Sequence, residues 1–245
     1  LKEGLHTDFA NAEKLKDLVL YESMNTEPGR RITLAEYVEA MPESQENIYF
    51  LTGDKRESVA DSPVLEYFRA KGWDVLFMTD PIDDWVMQSM FQYKKKHFKS
   101  VNRDDFEDKD SADKLKAARE KFSKLVDFLK EELKDSVVEV KFSARLTESP
   151  CCLVTEGNSL PPHMERLFRA MHQEVPKSRR VLELNPEHPL IGALSELVGA
   201  GAESAERAKK YARILLDQAL LSEGSPLADT AEFVKSVGEL LLDRV

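Results

Sequence analysis

Two short apolar segments with a helical pattern between them restrict the fold of this chain more than any other part of its sequence. Residues 47–52 and 74–79 are rich in aromatic and branched apolar side chains, as expected of buried strands. Residues 62–71 between them predict a helix that ends at Gly72. Strands that are joined through a helix pair in parallel with a right-handed crossover. The sequence therefore predicts a mixed α/β core.

Periodic patterns also fill most of the remaining chain. Thr33, followed three residues later by Glu36, predicts a helix N-terminus with a capping box. The predicted helices cover residues 8–22, 82–90, 111–134, 161–173, 188–198, 205–221 and 227–244, and the predicted strands cover 137–146, 151–155 and 181–184. We therefore expect an α+β fold.

An acidic segment at residues 104–110 divides these patterns into two groups. It lacks the glycine and the terminal glutamate of a calcium-binding loop, so the pattern favours a charged linker over a metal site. We place the domain boundary here. Residues 1–108 are predicted to form a small α-β-α sandwich, and residues 109–245 a mixed α/β domain that ends in a helical hairpin.

The composition is that of an acidic globular protein. The chain has 245 residues, of which 42% are hydrophobic and 33% charged, and its net charge is −10. Nucleic acid and anionic lipid both require a basic surface, so neither is an expected partner. No run of about eighteen apolar residues predicts a membrane span. We find no signal peptide, expect a cytoplasmic location, and interpret the chain, which starts at Leu1, as a piece of a longer protein.

The residues that usually carry catalysis form no recognisable motif. Glycine-rich phosphate loops, HExxH and CxxC are absent, and the five histidines are dispersed. We therefore predict no catalytic residue, no metal ligand and no cofactor in this chain. The adjacent pair Cys151 and Cys152 allows a redox interpretation, but two small buried strand residues in a reducing compartment are favoured.

A basic segment at residues 93–101 stands out in this acidic chain. It carries four lysines, Lys94, Lys95, Lys96 and Lys99. One interpretation is a phosphate-binding patch. The pattern favours a solvated edge strand that is protected by its lysines.

The first apolar helical surface lies in residues 161–173. Its apolar residues have the spacing i, i+3, i+4 and i+7 and are Met164, Leu167, Phe168 and Met171. Methionine is flexible and polarisable, which suits a surface that accepts varied partners. The alternative is an ordinary helix whose apolar side faces the core.

The second apolar helical surface is formed by the last forty residues, where two predicted helices are apolar over more than one face. Such helices need neighbours on several sides. A second copy of the same hairpin would supply them as a two-fold four-helix bundle, which we favour over docking within one chain. The predicted dimerisation residues are Tyr211, Leu215, Leu216, Ala219, Leu220, Phe233, Val234, Val237 and Leu241.

Several blocks of this sequence, in order, resemble the ninety-kilodalton heat-shock chaperone family, heat-shock protein 90, in its bacterial type. The blocks that resemble its middle domain are 1–9 (LKEGLHTDF), 49–55 (YFLTGDK), 62–66 (SPVLE) and 72–85 (GWDVLFMTDPIDDW). The blocks that resemble its C-terminal domain are 145–154 (RLTESPCCLV), 164–166 (MER), 182–189 (LELNPEHP) and 215–221 (LLDQALL).

The resemblance implies the client-binding and homodimerising part of an ATP-dependent chaperone. The family's ATP and magnesium site would lie upstream of Leu1, so this part is expected to be no enzyme. Non-native client proteins would contact Asp84 and Trp85 and the stripe of Met164, Leu167, Phe168 and Met171, although Trp85 alone also fits a core anchor. The chain lacks the acidic tail that helical-repeat co-chaperones bind, so these are not expected partners.

Two other classes of function remain open at this point. A small α/β enzyme that uses Cys151 and Cys152 requires a reactive thiol and a cofactor pocket. A purely structural dimerisation module requires that the Met164 stripe be buried.

Overall fold

The computed structural model describes residues 1–8, 10–108, 111–174 and 177–242. The chain divides into two compact units, Leu1–Asn102 and Arg103–Val245. Both units combine helices with a sheet, which confirms the predicted α+β class. The domain boundary after residue 108 stays a prediction, and Asp110 of the acidic segment lies outside the described residues.

The first unit is built on a six-stranded sheet with the order β2-β1-β4-β3-β6-β5. Its strands are β1 (Leu20–Ser23), β2 (Ile32–Thr33), β3 (Ile48–Thr52), β4 (Val75–Met78), β5 (Gln92–Tyr93) and β6 (Lys96–Ser100). As predicted, β3 pairs in parallel with β4, and Phe50 lies opposite Leu76. The strand β6 also pairs in parallel with β3, whereas β1 and β5 are antiparallel to their neighbours.

Short helices connect these strands. They are α1 (Lys2–Thr7), α2 (Ala12–Lys16), α3 (Leu34–Ala40), α4 (Arg56–Ala60), a 3-10 helix (Pro63–Leu65), α5 (Glu66–Lys71) and α6 (Asp83–Ser89). The capping box is confirmed, because Thr33 accepts from the Glu36 amide and Glu36 accepts from the Thr33 amide. The predicted end of α5 is also confirmed: Gly72 adopts φ 67°, a left-handed conformation that favours glycine.

The single helix predicted over residues 8–22 is wrong. The chain forms α1 and α2 and then enters strand β1. Tyr21 pairs with Ile32 of β2, and the next residue, Glu22, pairs with Phe77 of β4. These long-range backbone pairs, together with the burial of the Tyr21 side chain, override the local helical spacing. Phe9 lies outside the described residues.

The second unit contains a three-stranded sheet. Its strands are β7 (Glu139–Phe142), β8 (Cys151–Thr155) and β9 (Arg180–Leu184), and its helices are α7 (Ala112–Lys121), α8 (Ser123–Glu132), α9 (Pro162–Ala170), α10 (Pro189–Gly199), α11 (Ala202–Ser222) and α12 (Thr230–Leu242). The central strand β9 is parallel to β7 and antiparallel to β8. Helices α8, α10 and α11 pack a common apolar core against this sheet.

The helix predicted over residues 111–134 is interrupted. Phe122 separates α7 from α8 with φ −109° and ψ 22°, outside the helical range. The break places the Phe122 ring 5.7 Å from the ring of Phe142 on β7. Burial of this aromatic side chain in the core compensates for the lost helical continuity.

Candidate functional site

Helix α9 is anchored through one side and exposed on the other. Met164 is buried in the second unit, and the neighbouring Glu165 accepts a hydrogen bond of 2.8 Å from the backbone amide of Ser178. Glu165 also pairs with Arg169, one turn later, at 2.8 Å. These contacts fix the rotation of α9 about its own axis.

The fixed rotation divides the predicted Met164 stripe into a buried and an exposed part. Leu167 is exposed, Phe168 is half-buried, and Met171 at the end of the helix has 57% of its surface exposed. The chain reverses directly after Met171, where His172 has a φ of 58°. The apolar surface that α9 presents to solvent is therefore centred on Leu167 and Met171, with Met164 beneath it.

The other predicted contact residues, Asp84 and Trp85, lie on α6 in the first unit. Their neighbour Asp83 is fully buried, and its Oδ1 lies 2.7 Å from Lys2 Nζ. Burial raises the pKa of Asp83, and the adjacent Lys2 ammonium opposes this rise. Asp84 is half-buried, and Trp85 is exposed with its ring 6.3 Å from that of His6. The ion pair at Asp83 holds the start of the helix that presents Trp85.

The predicted dimerisation residues of α11 belong mostly to the core of their own unit. Leu215, Leu216 and Ala219 are buried there, and Tyr211 and Leu220 are half-buried against the same cluster. Leu215 also contributes its carbonyl oxygen, which lies 3.5 Å from the Cys151 Sγ on β8. This side of α11 is therefore already covered within one chain.

Helix α12 differs from α11, because its apolar residues are largely uncovered. Phe233 and Val237 are half-buried, whereas Val234 and Leu241 are 63% and 65% exposed. Leu242, which is not among the predicted dimerisation residues, is 76% exposed and extends the same patch. These three residues, Val234, Leu241 and Leu242, are called the α12 patch below.

Polar contacts fix both ends of α12. The Asp229 carboxylate accepts from the Glu232 amide at 2.9 Å, in the position of an N-cap. Near the other end, Glu239 pairs with Lys210 of α11. An exposed apolar patch on a helix that is held in place is a common mark of a protein contact.

The two cysteines lack the features of a reactive site. Cys151 and Cys152 are both buried as free thiols. Burial raises the pKa of Cys151 to about 12. The thiolate is the nucleophile, and it is scarce at neutral pH when the pKa is this high.

The described residues contain neither a metal-binding cluster nor a helix of the membrane-spanning type. No group of three or more His, Cys, Asp or Glu side chains there is arranged to hold a metal ion. No helix in the same residues is long and apolar enough to cross a membrane.

The comparison with known proteins matches the whole chain to one family. The family model described as Hsp90 protein matches residues 1–245. The chain belongs to the Hsp90 family. Hsp90 relatives that carry the name Chaperone protein HtpG are 47% identical in Geobacter sulfurreducens, 40% in Mycobacterium tuberculosis and 39% in Paraburkholderia xenovorans. The matches cover 98–100% of this chain but only 38% of each relative.

Proposed function

We propose that this chain is the end of the middle domain and the C-terminal dimerisation domain of a bacterial, HtpG-type Hsp90 chaperone. In this proposal residues 1–108 form the α-β-α sandwich and residues 109–245 the α/β domain with its closing hairpin of α11 and α12. The part contributes homodimerisation and the holding of non-native client proteins. The supports are family membership and the exposed apolar surfaces on α9 and α12.

The exposed α12 patch is the observation that carries the dimerisation proposal. A soluble domain gains free energy by covering Val234, Leu241 and Leu242, at about 25 cal/mol for each Å² of apolar surface removed from water. A second copy of the same hairpin offers the same apolar patch in return. A two-fold arrangement then covers both copies with one type of contact.

The client surface is assigned to α9 and to Trp85, each within its own unit. Leu167 and Met171 combine exposure with flexible apolar side chains, which can adapt to varied sequences. Trp85 adds an exposed aromatic ring, and aromatic anchors carry much of the energy at protein contacts. The half-buried Asp84 and Phe168 are the chain neighbours of Trp85 and Leu167, and the buried Met164 completes the stripe.

The remaining parts of the proposal concern the complete protein. It is a cytoplasmic ATPase whose ATP and magnesium are bound by residues outside this chain, so this part holds no cofactor and has no enzyme activity of its own. Its partners are a second copy and non-native proteins, with no role for nucleic acid or membrane. These assignments rest on the resemblance and on the acidic net charge of −10.

The test of dimerisation is the solution mass over a dilution series for three proteins. The unmodified chain is expected at twice the mass of one chain at micromolar concentration. The variant Val234→Asp/Leu241→Asp is expected to be a folded monomer, because it places four carboxylates in the paired patch. Val138→Asp is the control, since Val138 is an exposed valine of the same unit that lies outside α12. A folded monomer of the unmodified chain at every concentration contradicts the proposal.

The two alternative functions predict different results in a client-binding assay. A purely structural dimerisation module forms the dimer but does not bind a non-native protein, and its Met164 stripe would be buried. The exposure of Leu167 and Met171 favours client binding over this alternative. A thiol-dependent enzyme is disfavoured by the burial and the raised pKa of Cys151.

A further inference from the structure

The hairpin formed by β5 and β6 has an unusual turn. Gln92 pairs with His97 and Tyr93 with Lys96, so the loop consists of Lys94 and Lys95 alone. Their φ angles are 44° and 67°. A two-residue loop with positive φ at both positions is typically occupied by Asn-Gly or Asp-Gly, because these residues tolerate the left-handed conformation. Lysine adopts a positive φ less readily than asparagine or glycine, so the geometry of the turn does not explain why two lysines occupy it.

The same hairpin carries positive charge that the described residues do not neutralise. Lys94, Lys95 and Lys99 are exposed, and none of the hairpin lysines pairs with a carboxylate among the described residues. Lys94 lies over the Tyr93 ring at 5.4 Å, and Lys96 donates to the Gln45 carbonyl at 3.2 Å. The charges therefore remain available to a ligand.

Two carboxylates near the hairpin are already engaged elsewhere. Glu13 pairs with Lys16 at 2.6 Å, and Asp17 accepts a hydrogen bond of 2.5 Å from the Tyr93 hydroxyl. Some cations in other parts of the chain are paired with acidic side chains, as Lys2 and Arg180 are. The hairpin therefore presents lysines without a carboxylate partner among the described residues, in a chain of net charge −10.

An exposed apolar side chain lies at the start of the hairpin. Phe91 directly precedes β5 and is 70% exposed, while its carbonyl accepts from the Phe98 amide at 3.0 Å. The backbone at Phe91 is therefore fixed although the ring is in solvent. Phe91 lies opposite Phe98 in the hairpin register, so His97 and Lys99 belong to the other face of the pleat. Phe91, Lys94 and Lys95 are called the basic hairpin below.

We propose that the basic hairpin is a docking surface for an acidic segment of another protein, one that also carries an apolar side chain to cover Phe91. The lysines supply the charge complementarity, and Phe91 supplies the apolar contact. The hairpin is small, and charges interact over only about 8 Å at physiological salt. A long polyanion such as nucleic acid would extend onto the rest of a net acidic chain and be repelled. A short acidic segment can remain on the hairpin.

Protection of a sheet edge does not account for this arrangement. Lysines guard long exposed edges against pairing with other chains. The outer strand β5 contains only two residues, and the Gln92 carbonyl already accepts from Lys16 at 3.1 Å. Lys94 and Lys95 lie in the turn rather than along that edge. Their position fits contact with a partner better than protection of the strand.

A variant of the turn separates the effect of the lysine charges on binding from any effect on folding. The variant Lys94→Asn/Lys95→Gly supplies the residues that the turn geometry favours and removes two positive charges. Its probe is a fluorescein-labelled peptide of fifteen residues, mostly glutamate with two phenylalanines, measured by fluorescence anisotropy. We expect the variant to bind about fivefold more weakly, as two surface ion pairs are lost. Its Tm is expected to be unchanged or higher.

A matched control removes the same charge elsewhere. Lys124→Gln/Lys130→Gln changes two exposed lysines of α8 and is expected to bind the peptide as the unmodified chain does. Phe91→Ser is expected to weaken binding without altering the salt dependence. Affinity of the unmodified chain should fall steeply between 50 mM and 500 mM salt.

Three results would overturn the proposal. The first is no peptide binding by the unmodified chain at 50 mM salt. The second is equal binding by the turn variant and the α8 control. The third is tighter binding to a single-stranded DNA oligonucleotide, or to phosphatidylserine vesicles, than to the peptide, with loss of that binding in the turn variant. The solution mass of the same samples is measured as well. It distinguishes a failure of peptide binding at the basic hairpin from a failure of the proposed dimerisation.

Discussion

Arg145 and Glu183 form a buried ion pair that joins the segment after β7 to the central strand β9. The Arg145 Nε donates to Glu183 Oε2 at 2.9 Å, and its Nη2 donates to Oε1 at 3.1 Å. Both side chains are almost fully excluded from solvent. Ser143 donates a further hydrogen bond of 2.7 Å to Glu183. The two residues belong to separate sequence blocks that resemble the Hsp90 C-terminal domain, and the ion pair connects those blocks.

Loss of one member of this pair is expected to destabilise the second unit. Arg145→Met leaves the buried Glu183 carboxylate with only the longer ion pair to Lys141 Nζ at 3.7 Å, and we expect a cost of up to about 3–5 kcal/mol. The double variant Arg145→Met/Glu183→Leu is expected to recover part of this loss because no buried charge remains. Urea denaturation followed by circular dichroism measures both effects. Lys114→Met is the control, since its pair with Glu187 is exposed and worth at most about 1 kcal/mol. Equal effects of Arg145→Met and Lys114→Met would contradict the prediction.

The two last helices are expected to respond differently to truncation. A chain that lacks residues 228–245 loses α12 but keeps the apolar core of the second unit, so it should be folded and monomeric. A chain that lacks residues 205–245 also loses the core residues Ala208, Ala212, Leu215, Leu216 and Ala219. Its second unit should unfold. Circular dichroism and solution mass of both proteins check this, and a stably folded second unit after the longer truncation would show the prediction to be wrong.

Client binding is expected to depend on the exposed part of the Met164 stripe. Leu167→Ser/Met171→Ser removes two exposed apolar side chains, so binding of carboxymethylated lactalbumin, a permanently unfolded protein, should weaken about tenfold or more. The Tm should hardly change. Met164→Ser is a contrasting variant, because this side chain is buried and its loss should lower stability by about 2–5 kcal/mol. Unchanged client affinity in the first variant would remove α9 from the client surface.

The cysteines are expected to resist alkylation in the folded protein. The pKa of Cys151 is raised to about 12 by burial, so almost no thiolate forms at pH 8. Iodoacetamide should label neither Cys151 nor Cys152 in buffer and both in 6 M guanidinium chloride, as measured by mass spectrometry. Rapid labelling of Cys151 under native conditions would revive the interpretation as a thiol enzyme.

The capping box of α3 is expected to make stability depend on pH. Two hydrogen bonds lower the pKa of Glu36 below its usual 4.5. The larger effect comes from the backbone amide of Thr33, and the smaller comes from the Thr33 side chain. A carboxyl group whose pKa is lower in the folded state stabilises above its unfolded pKa, and this stabilisation is lost as the pH falls through the folded value. The Tm difference between the unmodified chain and Glu36→Gln should therefore be present at pH 7 and shrink below pH 4.5. Glu39→Gln, on the same helix, should show no such change.

Local sequence signals were sufficient to predict the ends of helices, where one or two residues determine the structure. Gly72 marks the end of α5 because glycine adopts positive φ without steric cost, and Thr33 with Glu36 marks the start of α3. The parallel pair of β3 and β4 follows from the helix between them. Strand β1 could not be predicted in this way, since partners distant in sequence determine the conformation of Tyr21.

The candidate surfaces show a similar limit. Helical spacing placed Met164 and Met171 on one stripe, but it contains no information about which end of that stripe meets the core. The hydrogen bond between Glu165 and the Ser178 amide settles this, and no local pattern predicts a contact between residues thirteen positions apart. The Arg145–Glu183 pair was missed for the same reason, although both residues lie within recognised sequence blocks. A charged residue between buried apolar neighbours, such as Glu183 between Leu182 and Leu184 in β9, is the signal that could have drawn attention to it.

The turn at Lys94 and Lys95 has a consequence for protein engineering. A search for stabilising substitutions would select this turn early, because Asn-Gly relieves the left-handed lysines at no cost in packing. Such a thermostabilised protein would pass every assay of folding while lacking the two positive charges of the basic hairpin. Variants of this chain that are optimised for heat resistance should therefore retain both lysines if its contacts are to be studied.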